Sequence, residues 1–185
     1  MSSLEISSAT PADATRLAAL YRRAYESAAD LGYPSRMTEI DAATVGEWLE
    51  REAITLLGVD RTTDADAGIA MDDGGRLVGS VRLLEEREEP YLERLAVHPD
   101  CQGRGIATTL VDRVESIALE RGYDCIQLTT FDEHPFLVEW YGARGYEPIT
   151  YHETDNRSYD FVTMEKPLPV ATACDRPIET GSGRR

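Results

Sequence analysis

A predicted strand is joined to the most regular predicted helix of the chain by the stretch His98-Pro99-Asp100-Cys101-Gln102-Gly103-Arg104-Gly105-Ile106-Ala107. Gly103 and Gly105 let the backbone turn tightly and approach a ligand, because glycine adopts positive φ values at little cost. The first N–H groups of the following helix have no acceptor within it, and the positive end of its dipole points the same way. The stretch therefore predicts an anion-binding loop, to which Arg104 adds a charge-assisted contact with phosphate. The alternative is a tight turn that binds nothing.

The helix after this loop is predicted over residues 104–121. Apolar residues at helical spacing form one broad face of it, namely Ile106, Ala107, Leu110, Val111, Val114, Ile117 and Ala118. A strand at 91–97 precedes the loop and ends at His98-Pro99, since proline has no N–H to donate to a sheet. A second strand follows the helix at 125–130. Strand, helix and strand in this order predict a parallel crossover pair.

Further elements extend in both directions from this unit. Thr10-Pro11-Ala12-Asp13 is typical of a helix start, with Thr10 as N-cap and Asp13 returning a capping bond. The remaining predictions are an edge strand at 4–8, a first helix with its apolar face over 17–28, a weaker helix at 41–51, a hairpin of 67–71 and 76–84, a short helix at 135–144 and a last strand at 159–165. Residues 53–65 are ambiguous.

Two segments resemble motifs of the GCN5-related N-acetyltransferase (GNAT) superfamily. The run Leu95-Ala96-Val97-His98-Pro99, followed by Gln102-Gly103-Arg104-Gly105-Ile106-Ala107, is similar to the signature Q/R-x-x-G-x-G/A. The segment Phe136-Leu137-Val138-Glu139-Trp140-Tyr141-Gly142-Ala143-Arg144-Gly145-Tyr146 is similar to the aromatic-Tyr-x-x-x-Gly-aromatic segment of that family. The resemblance implies an α/β (α+β) fold over residues 1–166, with a GNAT-like, mostly antiparallel mixed sheet, one parallel crossover pair and about four flanking helices. Residues 167–185 are predicted to be a disordered tail.

The resemblance also implies a function, which is acetyl transfer from acetyl-coenzyme A to a primary amine by direct transfer. It implies that the coenzyme pyrophosphate binds to Gln102, Gly103, Arg104, Gly105, Ile106 and Ala107. Leu95, Ala96 and Val97 would hold the pantetheine arm by backbone hydrogen bonds, and Tyr141 would protonate the departing thiolate. The alternative is a non-catalytic acyl-coenzyme A-binding or regulatory module with the same fold.

A general base for the amine is sought on the strand before the loop. Alternation along a strand places Tyr91, Glu93, Leu95 and Val97 on one side, so Glu93 is predicted to share a side with the coenzyme-binding run. Glu93 is therefore our first candidate for the base. It could equally pair with Arg82 across the hairpin.

His134 is the second candidate base, because the ordinary pKa of histidine suits this work and His134 directly precedes the tyrosine helix. Its alternative is an exposed turn residue, and water acting alone is a third possibility for the base. His134 stands where many relatives carry an asparagine that contacts the coenzyme, which is a departure from the family pattern. Cys101 adjoins the loop and is interpreted as a structural or surface thiol, and His98 as a turn residue.

The composition excludes several classes of function. The 185 residues carry 19 basic and 34 acidic side chains, a net charge of −15, which disfavours nucleic acid and anionic lipid as partners. No apolar stretch approaches the roughly 20 residues of a membrane span. Three cysteines without C-x-x-C spacing and three scattered histidines predict reduced thiols, no metal and a cytoplasmic location. A homodimer is expected by analogy with the family alone.

The basic residues are almost all arginine. Lys166 is the single lysine, and the other 18 basic residues are Arg. An acidic, lysine-poor surface suits concentrated salt, where repulsion between like charges is screened over a few Å. Our hypothesis is adaptation to a salty cytoplasm, and codon bias is the alternative.

Overall fold

The computed structural model of the protein describes residues 4–51, 53–62, 67–155 and 159–169. In this part of the chain the fold is an eight-stranded mixed sheet with helices on both faces. The strands are β1 (Leu4–Ser8), β2 (Ala53–Asp60), β3 (Ile69–Ala70), β4 (Arg76–Leu84), β5 (Tyr91–Val97), β6 (Cys125–Phe131), β7 (Glu147–His152) and β8 (Phe161–Pro167). The α-helices are α1 (Ala14–Asp30), α2 (Ala42–Leu49), α3 (Ile106–Glu120) and α4 (Leu137–Ala143).

The strand order is β1-β2-β4-β5-β6-β8-β7, with β3 paired to β4. All pairs are antiparallel except β5 with β6, which α3 connects. The predicted mixed sheet, its parallel crossover and the four helices are therefore confirmed. Strand β1 lies at one edge, as its sequence predicts.

Two buried clusters lie on the two faces of the sheet. One cluster joins α1 and α2 to residues such as Leu57 and Leu77. The other joins α3 and α4 to residues such as Val81, Leu92 and Leu128. The loop between β5 and α3 thus begins on a central strand and continues into a helix that is packed in the second cluster.

The helix starts follow local capping chemistry. The Thr10 N–H donates to Asp13 Oδ2 at 2.8 Å, which is the predicted returning bond, and a short 3-10 turn over Pro11–Asp13 leads into α1. Asp41 is the N-cap of α2, where its Oδ1 accepts from the Thr44 N–H at 2.7 Å. Asp41 therefore satisfies a first-turn N–H group of α2, whereas Asp13 accepts from the N–H of the N-cap residue Thr10 in the turn before α1.

The C-terminal part of the sheet differs from the prediction. Strand β7 is missed, because all six of its side chains are exposed and it has no apolar face to predict it. The ambiguous residues 53–65 include β2. The last strand runs to Pro167, and Leu168 is 6% exposed within the second cluster, so the folded part extends past the predicted start of the tail. Residues 170–185 lie outside the described residues.

Membrane-spanning helices are not found in the described part of the chain, where no helix combines enough length with enough apolar character.

Candidate active site

The loop between β5 and α3 has the backbone geometry of an anion-binding turn. Gly103 and Gly105 have φ values of 74° and 79°. A Cβ at either position would meet no atom within 4 Å, so these glycines are required for backbone conformation and not for space. Gly105 is the N-cap of α3, and its carbonyl accepts from the Thr109 N–H at 3.0 Å. The N–H groups of residues 106–108 precede that bond and have no acceptor within the helix.

The side chain of Arg104 is directed at a buried carboxylate. Its Nη2 lies 2.6 Å from Oδ2 of Asp60, a residue at the end of β2 that is 2% exposed. This hydrogen bond raises the pKa of Arg104. The pair ties the loop to β2 and balances the charge of Arg104 locally, so the attraction of the loop for an anion rests on its backbone N–H groups. The contact of Arg104 with phosphate stays a prediction.

Strands β5 and β6 pair along only part of their length. The register contains Tyr91 with Gln127 and Leu92 with Leu128, although β5 continues to Val97 and β6 to Phe131. Beyond Leu92, the backbone groups of β5 that point away from β4 have no strand partner in the described part of the chain. Residues 93–97 are thus paired with β4 but not with β6. This stretch includes Leu95, Ala96 and Val97 and leads directly into the loop and α3.

A β-bulge reverses the alternation of β5. Arg94 has a φ of 50° and is the only non-glycine residue with positive φ in the described ranges. Opposite it, the register with β4 shifts between Ser80 and Arg82. Leu95 and Val97 pack in the second cluster, which contains α3 and α4 and is called the α3 cluster below. Glu93, in contrast, lies on the side of the sheet that faces α2. The prediction that Glu93 shares a side with Leu95 and Val97 is therefore wrong, because the extra residue changes the parity of the strand.

Four residues around the bulge form what we name the arginine cluster: Trp48, Arg82, Glu93 and Arg94. Arg82 Nη1 lies 2.6 Å from Glu93 Oε1, which confirms the pairing across the hairpin. Arg94 pairs with the same carboxylate oxygen, and its guanidinium carbon lies 3.8 Å from the centroid of the Trp48 ring. Burial lowers the pKa of both arginines. Glu93 is thus held by two cations, and its role as a base stays a prediction.

Tyr141 lies in α4 and is 5% exposed. Its ring makes edge contacts with Trp140 and Tyr146, at centroid distances of 4.9 and 5.5 Å. Burial raises the pKa of Tyr141, and the nearby hydroxyls of Tyr25 and Tyr91 raise it further. Burial also raises the pKa of Tyr25, on α1, to about 12. Both hydroxyls therefore keep their protons at neutral pH, and the electrostatic coupling of Tyr25 to Tyr141 was not predicted from the sequence.

His134 caps α4. Its Nδ1 accepts from the N–H groups of Phe136 and Leu137, at 3.2 and 3.3 Å. The ring lies 5.0 Å from the ring of Tyr33, and burial lowers the pKa of His134. His134 is therefore half-buried rather than an exposed turn residue, and in the neutral ring Nε2 carries the proton. Its role as a base stays a prediction.

The cysteines of the described part are protonated thiols. Cys101 is fully buried, and burial raises its pKa, so it is a core residue beside the loop. Burial and the adjacent Glu89 raise the pKa of Cys125 to about 12. Glu89, Asp124 and Cys125 offer ligand atoms within 4.8 Å of one another. A thiol held protonated is a poor metal ligand, and the predicted absence of a metal stays a prediction.

The sequence model of the acetyltransferase (GNAT) family matches residues 33–146, which is more than half of the chain and includes the loop, the bulge and α4. This chain belongs to the GNAT family. The resemblance of the two motifs is therefore confirmed. A curated acetyltransferase of Pectobacterium atrosepticum is 31% identical over 86 residues, which are 46% of this chain. The match spans about three fifths of that relative, 61% of its length.

Solved acetyltransferase structures share the fold. The protein yncA of Salmonella typhimurium, solved with its cofactor acetyl-CoA, superposes with a TM-score of 0.68 at 16% identity, covering 95% of this chain and 99% of that one. A ribosomal-protein-alanine N-acetyltransferase of Brucella melitensis superposes with a TM-score of 0.66 at 21% identity, covering 89% and 99%. At these identities the likeness shows the fold alone.

Proposed function

We propose that this GNAT protein transfers an acetyl group from acetyl-coenzyme A to a primary amine by direct transfer. The observation that carries the proposal is continuity. The edge of β5 at residues 93–97 that is not paired with β6 leads through the loop at residues 98–105 to the free N–H groups at the start of α3. A long ligand with an amide-bearing arm and a pyrophosphate requires both features, side by side and in this order.

The coenzyme would bind mainly through the backbone. The N–H groups of residues 103–107 would hold the pyrophosphate, since the Gln102 N–H already donates to the Pro99 carbonyl at 3.2 Å. The N–H groups of Leu95 and Val97 would hold the amides of the pantetheine arm. A backbone site suits this chain, because a net charge of −15 repels a polyanion at long range and only aimed dipoles or a local cation attract it at short range. The structure of yncA, which has a similar fold and was solved with its cofactor acetyl-CoA, supports this proposal.

The transfer makes one bond and breaks another. The lone pair of the neutral amine attacks the thioester carbonyl, a C–N bond forms, the C–S bond breaks and the sulfur leaves as a thiolate. The amine loses a proton to a base, and the thiolate gains one. Tyr141 is the proposed donor, because its buried hydroxyl stays protonated at neutral pH.

The base has three candidates: Glu93, His134 and water. An alkylamine with a pKa of about 10.4 is mostly protonated at pH 7, so removal of its proton costs roughly 4.6 kcal/mol. Glu93 would have to receive that proton while bound to two arginines, and Nδ1 of His134 while capping α4. These contacts favour water over either side chain, with Glu93 next because it lies beside the opening between β5 and β6.

The experiment is release of free thiol from acetyl-coenzyme A with a panel of amines, compared between wild type and Tyr141→Phe. We expect turnover to fall by about 10²-fold or more, as for loss of a general acid. Coenzyme affinity by calorimetry should change little. An unaltered rate would exclude the acid role. Stabilisation by the coenzyme without thiol release from any amine would favour the non-catalytic binding module.

The oligomeric state, the cellular location and the classes of partner are predicted from the sequence alone. A homodimer, a cytoplasmic location and the absence of nucleic acid and membrane partners stay predictions. Size-exclusion chromatography tests the first of them.

A further inference from the structure

The arginine cluster carries more positive charge than its own carboxylate balances. Arg82 and Arg94 share the single carboxylate of Glu93. The positive charge of Arg51 acts on both arginines, and the negative charge of Glu86 acts on Arg82. A surplus cation on an inner strand is unexpected in a chain of net charge −15, because removing charge from water is costly unless an anion accompanies it. The excess therefore requires an explanation.

Arg82 and Arg94 differ in whether their guanidinium N–H groups remain available to bind a ligand. Arg82 is 3% exposed and uses all three of its nitrogens, on Thr55, Glu93 and the Trp48 carbonyl. Arg94 has a side chain that is 25% exposed. Within the described ranges it pairs with Glu93 and no other carboxylate. Arg94 is thus the member of the cluster that retains donors for a ligand.

Arg94 is also held rigidly. Its backbone is fixed by the bulge, at a φ of 50°, and its guanidinium lies over the Trp48 ring at 3.8 Å. A guanidinium stacked on an aromatic ring keeps its plane in place and its in-plane N–H groups free, which suits a bidentate pair with a carboxylate.

The position of Arg94 relates it to the reaction. It directly precedes Leu95, which begins the proposed coenzyme-binding run, but its side chain lies on the face covered by α1 and α2. The register of β5 with β6 ends at Leu92, two residues before Arg94, so Arg94 lies where β5 separates from β6. Arg94 is therefore next to the proposed coenzyme-binding run, on the other face of the sheet from α3.

We infer that Arg94 binds a carboxylate of the acceptor, so the acceptor is a small amine that also carries a carboxylate, of the amino-acid class. This inference rests on the proposed function. Arg94 is then a specificity-determining residue: it pairs with the carboxylate while the amine nitrogen of the same molecule attacks the thioester. The acceptor would supply the anion that the arginine cluster lacks.

The test compares thiol release with the twenty L-amino acids and with their primary amides, which keep the amine but lose the carboxylate. Wild type should use at least one amino acid with a kcat/KM about 10- to 100-fold above its amide, as loss of a charge-assisted pair implies. In Arg94→Gln this preference should disappear, mainly through KM. The amine of an amino-acid amide has a lower pKa than that of the free amino acid. This difference affects wild type and Arg94→Gln equally, so it does not alter the comparison between the two proteins.

Arg51→Gln is the matched control. It removes a nearby surface charge, and the preference should change less than about twofold, since exposed charges are screened. If Arg94→Gln lowers the rates with acid and amide equally, or if wild type prefers amides, the inference is overturned. If no amine of any kind releases thiol, the proposed function fails instead.

A binding readout keeps the inference testable without turnover and without an Arg94 variant. The chain has two tryptophans, so Trp140→Phe leaves Trp48 as the only one. With coenzyme A present, the emission of Trp48 should change saturably with an amino acid and not with its amide. No change with any of the twenty amino acids would overturn carboxylate binding at Arg94, whatever the activity assay gives.

Discussion

The closeness of α3 to the sheet depends on one glycine, and Gly79→Ala tests this. Gly79 lies on β4 under the start of α3, and a Cβ there would lie 2.8 Å from Cγ2 of Ile106, 2.9 Å from Cδ1 of Leu110 and 3.2 Å from the Ala96 carbonyl. Ordinary contact begins at 3.4 Å, so the first turn of α3 must retreat by about 0.6 Å, the difference from 2.8 Å. Overpacking of this kind costs about 1–3 kcal/mol of stability.

The same chain offers a matched control in Gly58, the register partner of Gly79 on β2. A Cβ at Gly58 would make only ordinary contacts, at 3.4 to 3.7 Å. Neither glycine is among those with positive φ, so alanine is not strained at either position. Gly58→Ala should therefore be neutral or stabilising by about 0.4–1 kcal/mol, because alanine reduces the freedom of the unfolded chain.

The two variants are compared by urea unfolding and by calorimetric titration with acetyl-coenzyme A. Since the displaced turn carries the N–H groups proposed for the pyrophosphate, Gly79→Ala should also lose about tenfold in affinity, or about 1.4 kcal/mol, near the net worth of one hydrogen bond. Gly58→Ala should keep wild-type affinity. Equal stability of the two variants would refute the packing argument, and equal affinity would refute the placement of the coenzyme on this turn.

Three further predictions follow from charge. Glu93→Gln leaves Arg82 and Arg94 without their carboxylate and should cost about 3 kcal/mol in urea unfolding; a rate-against-pH profile unchanged from wild type would remove Glu93 as the base. Burial lowers the pKa of His98 and of His134 in the folded protein. As the pH falls below about 6.5, these histidines therefore take up protons in the unfolded chain before they do so in the folded protein. The free energy of unfolding should then decrease by up to about 1.4 kcal/mol per pH unit for each histidine. Unfolding at about pH 7.5 and pH 5.5 measures this loss, which should be smaller in a His98→Gln variant. Stability should rise between about 0.1 M and 3 M KCl if the acidic surface is adapted to salt, and a flat response would remove that hypothesis.

Local patterns predicted most of the sheet and its helices. The apolar face of α3, the cap at Thr10 and the turn at Gly103 and Gly105 are each determined by a few neighbouring residues, so the sequence contains enough information to place them. The crossover between β5 and β6 followed from element order and the handedness of such connections. Strand β7 was missed because no burial pattern marks it.

Features that depend on distant partners were not predictable. Arg104 was assigned to phosphate because it lies in the predicted anion-binding loop, but its partner Asp60 is 44 positions away. The stacking of Arg94 on Trp48 joins β5 to α2, and no local signal relates them. The bulge depends on the register with β4, so alternation along β5 alone assigned Glu93 to the wrong face.

Arg94, the bulge residue at positive φ, determines which side chains of β5 face the proposed coenzyme site and which face α1 and α2. Without the bulge, Glu93, Leu95 and Val97 would share a face, and a carboxylate would lie beside the residues proposed to bind the polyanionic coenzyme. With it, Leu95 and Val97 stay with the α3 cluster, while Glu93 and Arg94 turn toward α1 and α2. Donor and acceptor would then approach β5 from different faces and meet where β5 separates from β6. A conformation that costs a non-glycine residue about 1–2 kcal/mol is retained in a structure only where its surroundings enforce it, and here these are the register with β4 and the contacts within the arginine cluster.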